Sequence, residues 1–474
     1  MDMSDNGGRA YWLWLSHACG QGSACAVELV RCFGDAEAVY AADEESLRSC
    51  GVRISKSTLA KLCTKELFKE KDILDWCERC GVQVLVPGDG AYPKSLLSLQ
   101  DAPMVLYCVG NLPDFDKVFS CAVVGTRTMT DYGKECAYRL GTGLADGGAC
   151  LVSGLALGID GMAMAGAVEA GGACVAVLGC GVDIVYPKAH EKLLHRVLEK
   201  GAVISEYAPG VSPNGYHFPV RNRIISGISR AVCVVEGNMS SGSLITARHA
   251  VFQGKPVYAF PGRVGDEGAQ APNFLLKMGA SAVTDAGDIL KDYEFLYPHS
   301  LHQSVEVPHI DANEAARLLG VERKGKNSRG SEPAGNKQKT GAGAEKAATA
   351  AAASRSSAKK VRDTAKKTDK GAAKKEGAQK ESVFPQESAP VRARADLSSL
   401  SEKDMLVFDA MLPDTPVLAD ELCGKCKMSV SEILVSLTML ELCGSIEAGA
   451  GGYFVKRAAD SVGADYIGEE DDGL

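Results

Sequence analysis

Between residues 119 and 284 the sequence keeps returning to one pattern, a short unbroken apolar run that stops at a small or acidic residue. The runs are FSCAVVG (Phe119–Gly125), ACLVSG (Ala149–Gly154), ACVAVLG (Ala173–Gly179), AVISE (Ala202–Glu206), RAVCVVEG (Arg230–Gly237) and PVYAFPG (Pro256–Gly262), followed by SAVT (Ser281–Thr284). Strands with one face in water alternate apolar and polar residues. Runs that are apolar throughout belong to strands covered on both faces, as in parallel sheets. Stretches at helical spacing, such as 133–145 and 159–170, lie between most of the runs. The pattern predicts an α/β fold, a Rossmann-like doubly wound parallel sheet, over residues 81–300.

The flanks read differently. Residues 1–80 carry apolar positions at helical spacing between turns at Gly20, Gly22, Gly34 and Gly51. Two readings of them stand side by side, a helical SAM-like or helix-hairpin-helix-like domain and a helical cap on the sheet. Residues 301–396 read as a disordered basic linker, because a stretch rich in Ala, Lys, Gly and Ser offers no periodic apolar face to offset ordering entropy. Between residues 323 and 380 it holds 17 Lys and Arg against 5 Asp and Glu. From 397 to 457 three amphipathic helices (LSEKDMLVFDAML, PVLADELC, SVSEILVSLTMLELCG) precede a hairpin (SIEAGAGGYFVKR), the order of a winged helix. Residues 458–474 form an acidic tail.

Charge and cysteine usage narrow the function classes. The net charge is −8 although the linker is strongly basic, so the folded part is acidic and any polyanion site on it is a local cleft. The predicted winged helix has five Lys and Arg against nine Asp and Glu, the wrong sign for duplex binding, so it is expected to contact protein. The 17 cysteines are scattered through apolar runs, as reduced thiols acting as small hydrophobes would be. The Cys77/Cys80 and Cys423/Cys426 pairs sit in different predicted domains and read as buried thiols; no metal site is expected. No apolar run reaches a membrane-spanning length, and Met1–Arg9 lack the features of a secretion signal, so the expected location is the cytoplasm, with no membrane partner.

In open α/β sheets ligands bind beyond the carboxyl ends of the strands. Five loops leave those ends here: Gly125-Thr126-Arg127-Thr128; Ser153-Gly154 through Asp160; Gly179 through Asp183 to Tyr186-Pro187-Lys188; the stretch Tyr216-His217-Phe218-Pro219-Val220-Arg221-Asn222-Arg223; and Glu236 through Ser241-Gly242-Ser243. The last suits an anion cradle, since small residues free backbone N–H groups at a helix N-terminus. Plain N-capping by Ser241 or Ser243 accounts for the same residues. Arg127, Lys188, Arg221 and Arg223 are candidate phosphate contacts, and Tyr186, Tyr216, His217 and Phe218 candidate stacking faces, a mixture suited to single strands with free bases. Equally, Tyr216 and Phe218 are read as core residues and Arg221 as the partner of a carboxylate such as Glu236. Neither a GxGxxG dinucleotide fingerprint in the first turn nor a GxxxxGK[ST] loop is present. Asp160, Asp183 and Glu206 read as caps and arginine partners. No catalytic residues and no cofactor are expected.

The runs VVGTRTMTDYG, LVSGLALGIDGMAMAGAVEAGG, VAVLGCGVDIVYPKAHEKL, HFPVRNRIISGIS and VVEGNMSSGSLITARHAVFQGKPVYAFPG, in that order, resemble the DprA/Smf family over roughly residues 85–290. The resemblance implies a protein that coats incoming single-stranded DNA in natural transformation, helps load the RecA recombinase and forms a homodimer through its Rossmann-like domain. It places a DNA-contacting arginine on Arg127, a pocket lysine on Lys188 and the FPxRN segment on Phe218–Asn222. His190 stands where the family usually has Asn. The alternative is a nucleotide or nucleoside hydrolase on a related fold, but the PGGxGTxxE run of such enzymes, with its catalytic Glu, has only EGNMSSGSLITAR as a counterpart here.

Overall fold

A computed structural model of the chain describes residues 6–302 and 400–456, apart from 414, 429, 443, 444 and 450–452. The expected linker beyond residue 302 and the acidic tail lie outside the described residues.

Six helices open the chain: α1 (Asn6–Cys19), α2 (Ala24–Phe33), α3 (Ala36–Ala41), α4 (Glu44–Ser49), α5 (Lys56–Cys63) and α6 (Phe68–Cys80). Asp35, Asp43 and Ser55 cap α3, α4 and α5 by accepting from N–H groups of the first turn. Leu13, Leu15, Leu29, Leu47 and Leu62 are buried in the core cluster that also takes in the sheet.

The sheet follows as β1 (Gln83–Leu85), β2 (Leu106–Gly110), β3 (Ser120–Val124), α7 (Asp131–Asp146), β4 (Cys150–Ser153), α8 (Ile159–Glu169), β5 (Cys174–Leu178), α9 (Glu191–Lys200), β6 (Ala202–Ser205), α10 (His217–Ile228), β7 (Ala231–Val234), α11 (Gly242–Phe252), β8 (Val257–Ala259), α12 (Gln270–Lys277), β9 (Ser281–Ala282) and α13 (Gly287–Leu290). Every residue of β3 to β8 is buried, as unbroken apolar runs require. The strand order is β1-β2-β6-β5-β4-β3-β7-β8-β9. The chain winds outward from β3 to β6 and then crosses to β7 on the other side of β3. The crevice at this reversal is where an open α/β sheet takes its ligand.

One edge departs from the all-parallel expectation: β2 runs antiparallel to β6, and β1 antiparallel to β2. For β1 and β2 the cause is local, because a Pro/Gly turn and one short 3-10 turn join them without a crossover helix.

The C-terminal elements are α14 (Glu402–Asp409), β10 (Val417–Leu418), α15 (Ala419–Cys426), α16 (Val430–Leu442), β11 (Ile446–Gly449) and β12 (Tyr453–Lys456). They form a winged helix with a three-stranded sheet in the order β10-β12-β11. PVLADELC, expected to be wholly helical, starts as a strand, with Val417 and Leu418 pairing to β12. A small core of Val407, Leu422, Ile433, Leu437 and Phe454 holds the unit together. Met439 instead joins the main core, so α16 is seated on the α/β body. Among the described residues no helix is long and apolar enough to cross a membrane.

Candidate nucleic-acid interface

The loops at the carboxyl ends of the parallel strands surround one cleft of about 550 Å³. That is nucleotide-sized by the usual range of ligand pockets. Its lining includes Thr126, Arg127, Asp160, Tyr186, Phe218, Arg221, Asn222 and Ser240–Ser243.

Backbone bonds join the loops to each other. Thr126 donates its N–H to the carbonyl of Glu236 at 2.7 Å, and Ile159 donates to the carbonyl of Thr126 at 3.1 Å. Thr130 caps α7 and donates its own N–H to the buried Glu236 carboxylate at 2.9 Å. Glu236 is therefore the partner of Thr130, and the expected alternative pairing of Arg221 with Glu236 is not seen.

The mouth of the cleft carries a cation and two aromatic rings. Arg127 is exposed, with its guanidinium 5.1 Å from the centre of the Phe218 ring. Phe218 in turn stacks on Tyr186, with centroids 5.6 Å apart and planes 28° apart. Lys188, also exposed, lies two residues past Tyr186. Tyr216 is 59% exposed on the same segment as Phe218, whereas His217 stacks on Tyr207 and bonds the Gly179 carbonyl through Nδ1.

The two arginines of the FPxRN segment and its following residue point inward. Arg221 donates to the carbonyls of Gly154 and Val177, and burial lowers its pKa to about 10, so it stays charged at neutral pH. Its buried Nε has no hydrogen-bond partner among the described residues. Asp160 faces it, with a pKa raised by burial and held down by Arg221, and accepts the Gly154 N–H at 3.1 Å. A Cβ at Gly154 would sit 2.4 Å from the Arg221 guanidinium, so a larger residue there must displace that side chain.

Arg223 is not at the cleft. It is 1% exposed and bonds both carboxylate oxygens of Glu206, at 2.7 and 2.9 Å, with Asp101 at 3.2 Å from its Nε. Burial works against its charge, and Glu206 and Asp101 outweigh that and raise its pKa. Expected as a phosphate contact, it is a core ion pair. Ser153 is likewise fully buried and donates to the Val123 carbonyl at 2.7 Å.

At the far wall Ser241 caps α11, and its hydroxyl lies 2.8 Å from that of Ser243. Asn222 reaches across to the Gly242 carbonyl at 3.3 Å. Gly125, Thr126, Arg127, Phe218, Arg221, Asn222, Ser241, Gly242 and Ser243 thus line one cavity, Gly154 lines an adjoining one, and Lys188 is not among the residues that line either, although Pro187 before it is. Further lining residues were not singled out from sequence. Asn238 belongs to a loop already identified, and Ile225, Ile245 and Thr246 to the helices that follow such loops, but Val435 comes from α16, and no local signal connects it to this cleft.

His190 is buried, and its Nδ1 bonds the carbonyl of Leu155 at 3.0 Å. Leu155 has the left-handed φ of 53°, uncommon for a branched side chain. The histidine thus braces the β4–α8 loop from beneath and is not part of the rim. Among the described residues no group of three or more His, Cys, Asp or Glu is placed to hold a metal.

The sequence matches the family described as DNA recombination-mediator protein A over residues 83–294, and the DprA winged helix domain over residues 391–452. It is 42% identical to the DNA processing protein DprA of Streptococcus pneumoniae over 207 residues, 44% of this chain and 73% of that one. Protein Smf of Escherichia coli is 43% identical over 213 residues, and there the alignment spans 44% of this chain but only 57% of the relative. A structure reported for the single-stranded DNA binding mode of DNA processing protein A from Helicobacter pylori aligns at 29% identity over 47% of this chain and 97% of that one, with a TM-score of 0.40. On its sequence, in the α/β and winged-helix regions alike, this chain belongs to the DprA/Smf family of DNA-processing proteins.

Proposed function

We propose that the protein binds single-stranded DNA along the rim of this cleft, with little preference for sequence. In this reading it protects incoming DNA and helps load RecA during transformation or recombination, acting as a homodimer in the cytoplasm. The observation that carries the reading is the exposed Arg127 lying over Phe218, itself stacked on Tyr186, at the mouth of a cleft backed by the buried cation of Arg221. Guanidinium and ammonium groups take phosphates, and the rings offer faces to unpaired bases. In a duplex those base faces are hidden, and the acidic body offers no broad basic surface for its backbone. The protective role, RecA and the dimer rest on membership of the family.

The carboxylates near the cleft favour binding over hydrolysis. Asp160 holds the Gly154 N–H, Glu236 holds Thr130, Asp183 holds the Gly210 N–H at 2.9 Å, and Glu206 holds Arg223. The Thr130 hydroxyl that Glu236 also accepts serves as the α7 cap, and the Ser153 hydroxyl beside Asp160 is committed to the Val123 carbonyl.

Titrating labelled single-stranded and duplex oligonucleotides of equal length at several salt concentrations tests the proposal. Tighter binding of the single strand at every salt is the expected result. Equal or tighter binding of the duplex overturns it. Base release from nucleoside monophosphates, lost on substituting cleft residues, would favour the hydrolase.

A further inference from the structure

Helix α16 occupies the position that in a DNA-binding winged helix enters the major groove. Here that face is used within the chain. Val435 and Met439, four residues apart and so on one side of the helix, form part of the cleft wall and part of the main core respectively. On the same helix Glu441 pairs with Arg248 of α11, with their side chains only 2% and 9% exposed. The Arg248 guanidinium lies over two rings, 5.5 Å from Phe252 of its own segment and 5.1 Å from Phe454 of β12. Arg248 is about 9 Å along α11 from Gly242, at 1.5 Å per residue. The acidic winged helix is thus seated on a cation of the same helix whose N-terminal turn lines the cleft.

We propose that the winged helix is a self-docked latch on the DNA cleft. Glu441 holds Arg248 as a strand phosphate would, and Val435 closes one wall, so that extended single-stranded DNA and the docked winged helix compete for α11. Opening the latch exposes Arg248, removes the Val435 wall and takes away an acidic neighbour, three changes that all favour a polyanion. By linkage, DNA must also favour the open state to the same degree. The latch presupposes that the cleft is the strand site.

Substituting Glu441 in the full chain tests this. Glu441→Lys places two cations together, and Glu441→Gln removes the charge with little change of shape, so that a milder variant is in hand should the first fail to fold. Hydrogen exchange in α11 and α16 reads docking, and titration with labelled oligo(dT) reads binding. Both variants are expected to raise exchange in α11 and α16. Glu441→Lys is expected to bind oligo(dT) about tenfold more tightly, the gain when a state populated at ~10% becomes the main one. Adding Arg248→Glu to Glu441→Lys restores the pair with its charges reversed and should return exchange to the wild-type level. Saturating oligo(dT) should raise α16 exchange in the unmodified protein. Unchanged exchange in both variants overturns the latch, as does raised exchange with equal or weaker DNA binding. Arg127→Ala in the same titration separates the two claims: if it binds as wild type does, the placement of the DNA site has failed.

Discussion

Three arginines in or beside the cleft loops look alike in the sequence, and burial assigns them different work. Arg127 is exposed at the mouth, Arg221 is buried behind the cleft, and Arg223 is locked on Glu206 in the core. Arg223→Ala leaves the Glu206 carboxylate buried without its partner, a loss of about 3–5 kcal/mol for a broken buried pair. At about 2–4 °C per kcal/mol, thermal unfolding should show a melting point lower by about 10 °C. Unchanged melting would mean that Glu206 finds water or another donor. The histidine at 190 gives a pH signature. Burial lowers its pKa below the ordinary value, so on acidification below about 6.5 the unfolded chain takes up the proton first. The stability contributed by neutral His190 is full above that pH and is lost as pH falls toward the folded value. His190→Asn cannot titrate and keeps a donor for the Leu155 carbonyl. Its melting temperature should fall less than that of wild type between about pH 7 and pH 5; identical falls would contradict the assignment. Which residue types gather at the strand ends was legible in the sequence. Which of them face solvent was not, since the positions of Arg221 and Arg223 depend on carbonyls and carboxylates from strands that are distant in sequence.

The apolar runs specified the strands because burial on both faces leaves no other pattern, and β3 to β8 fall within the runs identified from sequence. The reversed edge, β1 and β2, was not legible as such, because strands of three and five residues carry no mark of their pairing direction. The seat of α16 was also hidden: Val435, Met439 and Glu441 read as an ordinary amphipathic helix, and only packing shows what they touch. The loop after β4 carries a test at this scale. Gly158 has φ +81°, and a Cβ there would lie 2.2 Å from the Thr126 carbonyl. Gly210 has a similar φ of +82° with nothing near its missing Cβ. Alanine at either site bears the cost of a positive φ, of order 1–3 kcal/mol. Gly158→Ala adds a collision that pushes the β3 and β4 loops apart, of order 1–3 kcal/mol more. Gly158→Ala is therefore expected to melt lower than Gly210→Ala and to bind oligo(dT) more weakly. Equal melting and binding in the two variants would show that the loops are not mechanically coupled.

Over the whole molecule, charge is distributed against general DNA binding. The chain is acidic overall, and its 17-to-5 excess of basic over acidic residues is confined to 323–380. Attraction to a strand by the described part must therefore come from a few placed cations at the cleft, and few contacts mean a shallow salt dependence. Each phosphate contact to a single strand contributes about −0.7 to the slope of log K against log salt. The most direct measurement is a salt series of oligo(dT) titrations on wild type, Arg127→Ala, Lys188→Ala and the double variant, with melting curves on the same samples. Both side chains are exposed, so melting should not change. Each single variant should bind more weakly with a slope flatter by about 0.7, and the double variant should lose about twice as much slope. A double variant that binds oligo(dT) with wild-type affinity and wild-type slope would contradict the account.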